Sequence, residues 1–173
     1  MKFYVLHYSK GEARKKELLL REPRLKDATW VTDYDREEFI CDFFQHYTGS
    51  PLCKNYMSLH LKHFFALKDM VDNNIEEAIL FEDDVVFRKG WYEDFKELTI
   101  PNGIDYISLG NFKCIPYEKK LIQFLNNGGT EATWVNLNFA KEFLKEASFI
   151  QTIDTVHYGY LTSAGKPLMY FPV

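Results

Sequence analysis

An uninterrupted apolar run, Ala78-Ile79-Leu80-Phe81, passes directly into three consecutive carboxylates, Glu82-Asp83-Asp84. Apolar residues without polar alternation mark a strand buried on both faces. Such a strand needs helices packed above and below it, so the chain is expected to be an α/β protein. The carboxylates then leave the sheet together. Side by side they repel one another and are costly to desolvate. In an extended segment Glu82 and Asp84 point to one face and Asp83 to the other. A hard divalent cation between such oxygens would relieve the repulsion. Ligands of open α/β sheets bind beyond the carboxyl ends of the strands, where this cluster falls. A solvated turn or helix start is the alternative for the same residues.

Strand and helix patterns alternate elsewhere. Phe3 to Tyr8 reads as a first strand, closed by Ser9-Lys10-Gly11. Glu12 to Leu20 is predicted helical and stops at Pro23. Ala28 to Thr32 is β-branched and aromatic, a second strand ending at Asp33-Tyr34-Asp35. Glu37 to Tyr47 carries no decisive period. A long helix is predicted from about Lys54 to Val71, with Met57, Leu61, Phe64, Phe65 and Val71 on one side and Asn55, Ser58 and Lys62 as a separate polar row. Beyond the acidic cluster, Trp91, Phe95 and Leu98 mark a short helix and Asp105 to Gly110 a strand. Leu121, Ile122 and Leu125 are predicted helical, Thr133 to Val135 a strand. Phe139, Phe143, Leu144 and Ala147 form a helix with Asn138 as its N-cap, and Leu168 to Phe171 a last strand. The alternation predicts an α/β sandwich with a mainly parallel central sheet. With no linker or repeat, residues 1–173 are expected to form one domain.

Composition narrows the function classes. A net charge of -4 argues against a nucleic-acid partner, which requires a basic surface. Cys41, Cys53 and Cys114 contain no CxxC pair, so neither a disulfide framework nor a structural zinc site is expected, and free thiols suit a reducing compartment. The start of the chain lacks a secretory pattern and no apolar stretch is long enough to span a bilayer. A soluble, cytoplasmic protein is the expectation.

Ala78-Ile79-Leu80-Phe81-Glu82-Asp83-Asp84-Val85 resembles the "LILEDDV" segment of glycosyltransferase family 25, the lipooligosaccharide and procollagen galactosyltransferase type. Other pieces resemble that family in order: Asn55 to His60 the helix start before the acidic motif, Asp105 to Gly110 its "DilyLG" strand, and Gly128 to Val135 its "GGTaaYvi", followed by Ala140. Ile153-Asp154 resembles "pID", and Tyr170 to Val173 resembles "yPPlv", with Phe171-Pro172 where the family has two prolines. The resemblance runs from about Asn55 onward. It implies a GT-A fold, a Rossmann-like sandwich, as one nucleotide-sugar-binding domain, complete or the donor half of a longer enzyme. It also implies a UDP-sugar donor and Mn²⁺ or Mg²⁺ at a DXD-type acidic motif.

On that resemblance Asp84 is the first candidate for direct metal ligation and Glu82 the second, through water or the ribose as the alternative, with Asp83 on the cofactor side, organising the turn. His157 is the candidate substitute for the metal histidine that many GT-A enzymes carry farther downstream, with a surface histidine as the alternative. Asp154, the family's acceptor-side aspartate, is the candidate catalytic base. His7 and Tyr8, at the end of the first strand, are candidate nucleoside contacts, with a surface histidine as the alternative for His7. Asp33 and Tyr34 are candidates for uracil or ribose, or an ordinary turn. Ser58 and Lys62 are candidate donor contacts, Lys62 as a point charge for phosphate; a solvated lysine is the alternative, and Arg14 has the same two readings. Thr133 and Trp134 are candidates for the acceptor site, with core packing as the alternative for Trp134; Trp91 is a further ring on which a sugar could stack. The implied reaction is transfer of a hexose, galactose or glucose, to a hydroxyl of a glycan, lipid-linked or protein acceptor. The alternatives are a metal-dependent phosphotransferase or nuclease, and a non-catalytic nucleotide-sugar-binding module.

Overall fold

The computed structural model describes residues 1–38, 53–110, 122–123, 130–146 and 169–171. Its elements in chain order are β1 (Lys2–Leu6), α1 (Glu12–Arg21), β2 (Thr29–Val31), α2 (Cys53–Asp72), β3 (Glu77–Glu82), α3 (Trp91–Lys96), β4 (Tyr106–Ser108), β5 (Ile122–Gln123), β6 (Ala132–Asn136), α4 (Leu137–Glu146) and β7 (Met169–Tyr170), with 3-10 turns at Pro23–Asp27 and Arg36–Glu38. Asp154 and His157 lie outside the described residues, as do Cys41, Cys114 and Ile153.

The strands form one open sheet in the order β2-β1-β3-β6-β4-β7-β5. β1 pairs in parallel with β2 and β3, and β4 with β7. β6 lies antiparallel between β3 and β4, and β5 runs antiparallel to β7. The sheet is therefore mixed in its pairing, where the sequence pattern predicts a mainly parallel one. Parallel neighbours need a crossover segment. Among the described residues no helix lies between β4 and β6, so nothing there imposes parallel pairing.

Alternate side chains divide the core into two layers. Tyr4, Leu6, Ala78, Leu80, Tyr106 and Val135 face α2 and α4, meeting Ala66, Leu67, Met70, Phe139, Ala140 and Phe143. Val5, Ile79, Phe81, Ile107, Ala132 and Trp134 face the opposite way, against Leu18 of α1, Leu25, and Trp91 and Phe95 of α3. Residues 78–81 are fully buried, which is why they read as a continuous apolar run.

Three details differ from expectation. The sheet-facing side of α2 is built from Ala66, Leu67 and Met70, with His60 and His63 also buried; Leu61, Phe64, Phe65 and Val71 are only partly covered, and the polar row Ser58 and Lys62 is turned inward. The helix start after β6 is capped by Asn136, whose Oδ1 accepts from the Phe139 N–H at 2.8 Å; Asn138 lies inside the helix and donates to Asp105. Ile122–Gln123, expected in a helix, is a strand paired to β7, because edge pairing supplies backbone partners that a short apolar segment cannot obtain alone.

The chain leaves β1 for β2 on one side and returns for β3 on the other. The connections after β1 and β3 thus diverge, and a crevice opens beyond their carboxyl ends. The acidic cluster sits at that switch point.

Candidate functional site

A cavity of about 370 Å³ lies at this crevice, within the range of small-molecule sites. Its walls are Leu6 and Tyr8 from the end of β1, Arg14 from α1, Arg36, Asn55, Ser58, Leu59 and Lys62 from α2's side, and Glu82, Asp83 and Asp84 from the end of β3. Tyr8, Ser58, Lys62 and the three carboxylates, picked from the sequence, are thus brought together from segments far apart in the chain.

The three carboxylates have different environments. Glu82 ends β3 on the α2 side. Its backbone N–H donates to the Glu131 carbonyl at 2.8 Å, and its Oε1 accepts from the Thr130 hydroxyl at 2.6 Å. Burial pushes its carboxyl above the ordinary range, the Thr130 bond opposing this and the Asp83 charge adding to it. Asp84 is exposed at the mouth, yet partial burial of its carboxyl, then the charges of Glu82 and Asp83, push it up as well. A backbone hydrogen bond and the charge of Arg14 oppose the shift of Asp84 only in part, so the ionised forms of both carboxylates are incompletely compensated within the protein.

Asp83 is nearly buried and well compensated. Its Oδ2 accepts from His7 Nδ1 at 2.8 Å and from the Tyr8 N–H at 3.1 Å, and its Oδ1 accepts from Arg14 at 2.7 Å. It ties the turn between β1 and α1 to the end of β3. That turn is tight: Gly11 N–H donates to the Tyr8 carbonyl at 2.7 Å. A Cβ on Gly11 would lie 2.9 Å from that carbonyl and 3.0 Å from the His7 ring. His7 is therefore no surface histidine: it is 1% exposed, and its ring stands edge-on to Trp30.

Lys62 is also not a solvated lysine. Its ammonium donates to Asp35 Oδ1 at 2.9 Å and to the Asp33 carbonyl at 2.6 Å. Asp35 further accepts from the Ser9 N–H and hydroxyl. Burial would raise the Asp35 carboxyl, but the hydrogen bonds of Ser9 and Lys62 win and hold it below the ordinary range. Asp33 takes part through its backbone, with its side chain exposed. Tyr34 has a left-handed backbone (φ 64°), uncommon for a bulky residue. It is held by Glu38, which accepts from the N–H groups of Tyr34 and Asp35, and by stacking of its ring on Phe65 at 4.3 Å.

At the outer wall the Arg36 guanidinium lies 5.3 Å from the centre of the Tyr8 ring and 3.4 Å from Asn55 Oδ1. Tyr8 donates its hydroxyl to Glu37. His63 approaches Glu82 Oε1 at 3.9 Å, but burial, then the neighbouring His60, lower its pKa to about 3. The contact is therefore between a neutral imidazole and a carboxyl.

Three aromatic and hydroxyl candidates lie away from the cavity. Trp134 is 4% exposed in the core, and its indole N–H donates to Glu77, at the opposite end of β3 from the acidic cluster. Thr133 is fully buried in β6, beside Ser108. Trp91 is buried against Phe81 and Phe87 and donates to Glu22 at 2.7 Å. Asp35, Ser9, Gly11, Arg36 and Thr130 were not singled out from the sequence. For Asp35 the sequence carries no such signal, because Lys62 calls for a buried counter-charge only once its inward orientation is known.

These features define an α/β protein with an open mixed sheet and an acid-edged cavity at its switch point. Neither the scan against protein-family models nor the search of curated proteins finds a match. No described helix is long and apolar enough to cross a membrane.

Proposed function

We propose that this chain is a metal-dependent hexosyltransferase of GT-A type, moving galactose or glucose from a UDP-sugar to an acceptor hydroxyl. The observation that carries the reading is the cavity at the β1–β3 switch point, edged by two incompletely compensated carboxylates, Glu82 and Asp84, with Arg14 beside them. The motif resemblance supplies the reaction class.

The carboxylates fit a hard cation that takes one or two protein ligands and completes its shell with phosphate oxygens and water. Among the described residues no group of three or more His, Cys, Asp or Glu side chains forms a cage of its own. Asp84 would be the first ligand and Glu82 the second. A bound divalent ion supplies charge neutralisation for the departing diphosphate. Asp83 holds the β1–α1 turn, and Tyr8, Arg36, Asn55 and Ser58 shape the nucleoside side of the cavity. Asp154, outside the described residues, is assigned as the base that deprotonates the acceptor hydroxyl in an inverting reaction. The acceptor is a glycan, lipid-linked or protein hydroxyl. The unpaired cysteine pattern supports a cytoplasmic setting.

The test is thermal denaturation with UDP, GDP, ADP or CMP, each with and without Mn²⁺, followed by assay of UDP release from UDP-galactose and UDP-glucose. UDP with Mn²⁺ is expected to raise Tm most, since a ligand of the native state stabilises it. Equal shifts with all four nucleotides would defeat the donor assignment.

A further inference from the structure

Asp83 and Arg14 form a unit whose geometry reaches beyond a structural tie. Asp83 is 9% exposed and takes donors from His7, the Tyr8 backbone and Arg14, so its acceptor capacity is spent on the protein. Arg14 is 48% exposed and lines the cavity. Among the described residues only its Nη1 is committed, to Asp83 Oδ1. A guanidinium has five N–H donors in a fixed fork, so the others remain for a second acceptor. Of the other two cations of the cavity, Lys62 is spent on Asp35, and Arg36 donates its Nε to the exposed Glu37 and its Nη1 to Asn55, with no buried carboxylate to fix its plane.

We infer that Asp83 is a positioning residue that aims Arg14 into the cavity, making Arg14 an anion contact that works without a metal ion. The inference rests on reading the cavity as a phosphate-binding site. Holding one edge of the guanidinium on a buried carboxylate fixes its plane, so that less side-chain freedom is lost when an anion arrives. A lysine can also meet two acceptors, as Lys62 does, but its ammonium is a compact point charge without a planar fork, so the first contact does not fix the direction of the second. Gly11 belongs to the same device, since any side chain there would press on Tyr8 and His7 and displace the turn that carries α1.

The experiment is calorimetric titration of the full chain with inorganic pyrophosphate in EDTA. The variants are Arg14→Ala, Arg14→Lys, Asp83→Asn, the double variant Arg14→Ala/Asp83→Asn, and Lys16→Ala as a control for general charge on α1. Loss of one charge-assisted contact predicts about a tenfold weaker affinity for Arg14→Ala and a comparable loss for Arg14→Lys. Asp83→Asn is expected to weaken binding similarly, and the double variant no more than either single change, because Asp83 acts through Arg14. Lys16→Ala should bind as the unmodified protein does. Wild-type affinity in Arg14→Ala, additive losses in the double variant, or no pyrophosphate binding by the unmodified chain would overturn the inference. Should Asp83→Asn fail to fold, Asp83→Glu, which keeps the charge but displaces the carboxylate, takes its place, and undiminished pyrophosphate affinity in that variant would overturn the positioning role. Failure of UDP with Mn²⁺ to bind, while Arg14-dependent pyrophosphate binding persists, would remove the donor assignment and leave this inference standing.

Discussion

The ammonium of Lys62 and the carboxylate of Asp35 meet at 2.9 Å with their side chains 5% and 4% exposed. They join the middle of α2 to the segment after β2. Breaking a buried pair leaves one charge without compensation, which costs about 3–5 kcal/mol. Lys62→Met or Asp35→Asn alone is therefore expected to destabilise the protein by roughly that amount in urea denaturation. The double replacement should cost less than the sum, because neither charge is then left alone.

The same pair contributes to acid sensitivity. The Asp35 carboxyl is held below its ordinary 3.8 in the folded protein. A depressed folded-state pKa contributes stability that is present above the unfolded value and is lost as pH falls through the folded one. Glu82 and Asp84 are raised, so protonating them favours the folded state and opposes that loss. Denaturation midpoints measured downward from pH 5 should therefore fall less steeply in the native protein than in Asp84→Asn.

Asp84→Asn should abolish Mn²⁺-dependent UDP binding while the fold is retained. Asn is close in shape but uncharged and a poorer ligand for a hard cation. Removing one of three adjacent like charges also relieves their mutual repulsion. Titration of UDP with and without Mn²⁺, alongside circular dichroism, reads both effects. A folded variant with undiminished Mn²⁺-dependent affinity would end the metal role of Asp84.

Gly11→Ala places a Cβ 2.9 Å from the Tyr8 carbonyl, a backbone atom that cannot rotate away. The turn must shift, at a cost of about 1–3 kcal/mol. The expected result is a lower Tm together with weaker UDP binding, because the same turn carries Tyr8 and α1.

Asn136→Ala removes the cap of α4 and the amide that donates to Asp105 Oδ1 at 2.8 Å. A loss of about 1 kcal/mol is expected from the cap alone. It should appear in urea denaturation with no change in nucleotide binding, since the cap lies at the far end of β6 from the cavity.

How much of this was legible follows from the range of each interaction. The run 78–81 and the carboxylates after it are local facts, and burial on both faces leaves a local signature, so β3, its acidic end and the α/β class could be read directly. The helices α1, α2, α3 and α4 were marked by period, and α2's boundaries were nearly right. Its inward face was not, because Lys62, His60 and His63 look polar until Asp35 and the surrounding core supply their environment. The cap of α4 was displaced by two residues, since both Asn136 and Asn138 are competent and only the strand's end decides between them. The reversed direction of β6 and the place of Trp134 in the core depend on which strands become neighbours. So does the convergence of His7, Arg14 and Asp83, which are separated along the chain by up to 76 residues. Sequence records the propensity of a segment and the chemistry of its side chains. Which carboxylate is spent on the protein and which remains for a ligand is set by distance and burial, and those exist only once the sheet has assembled.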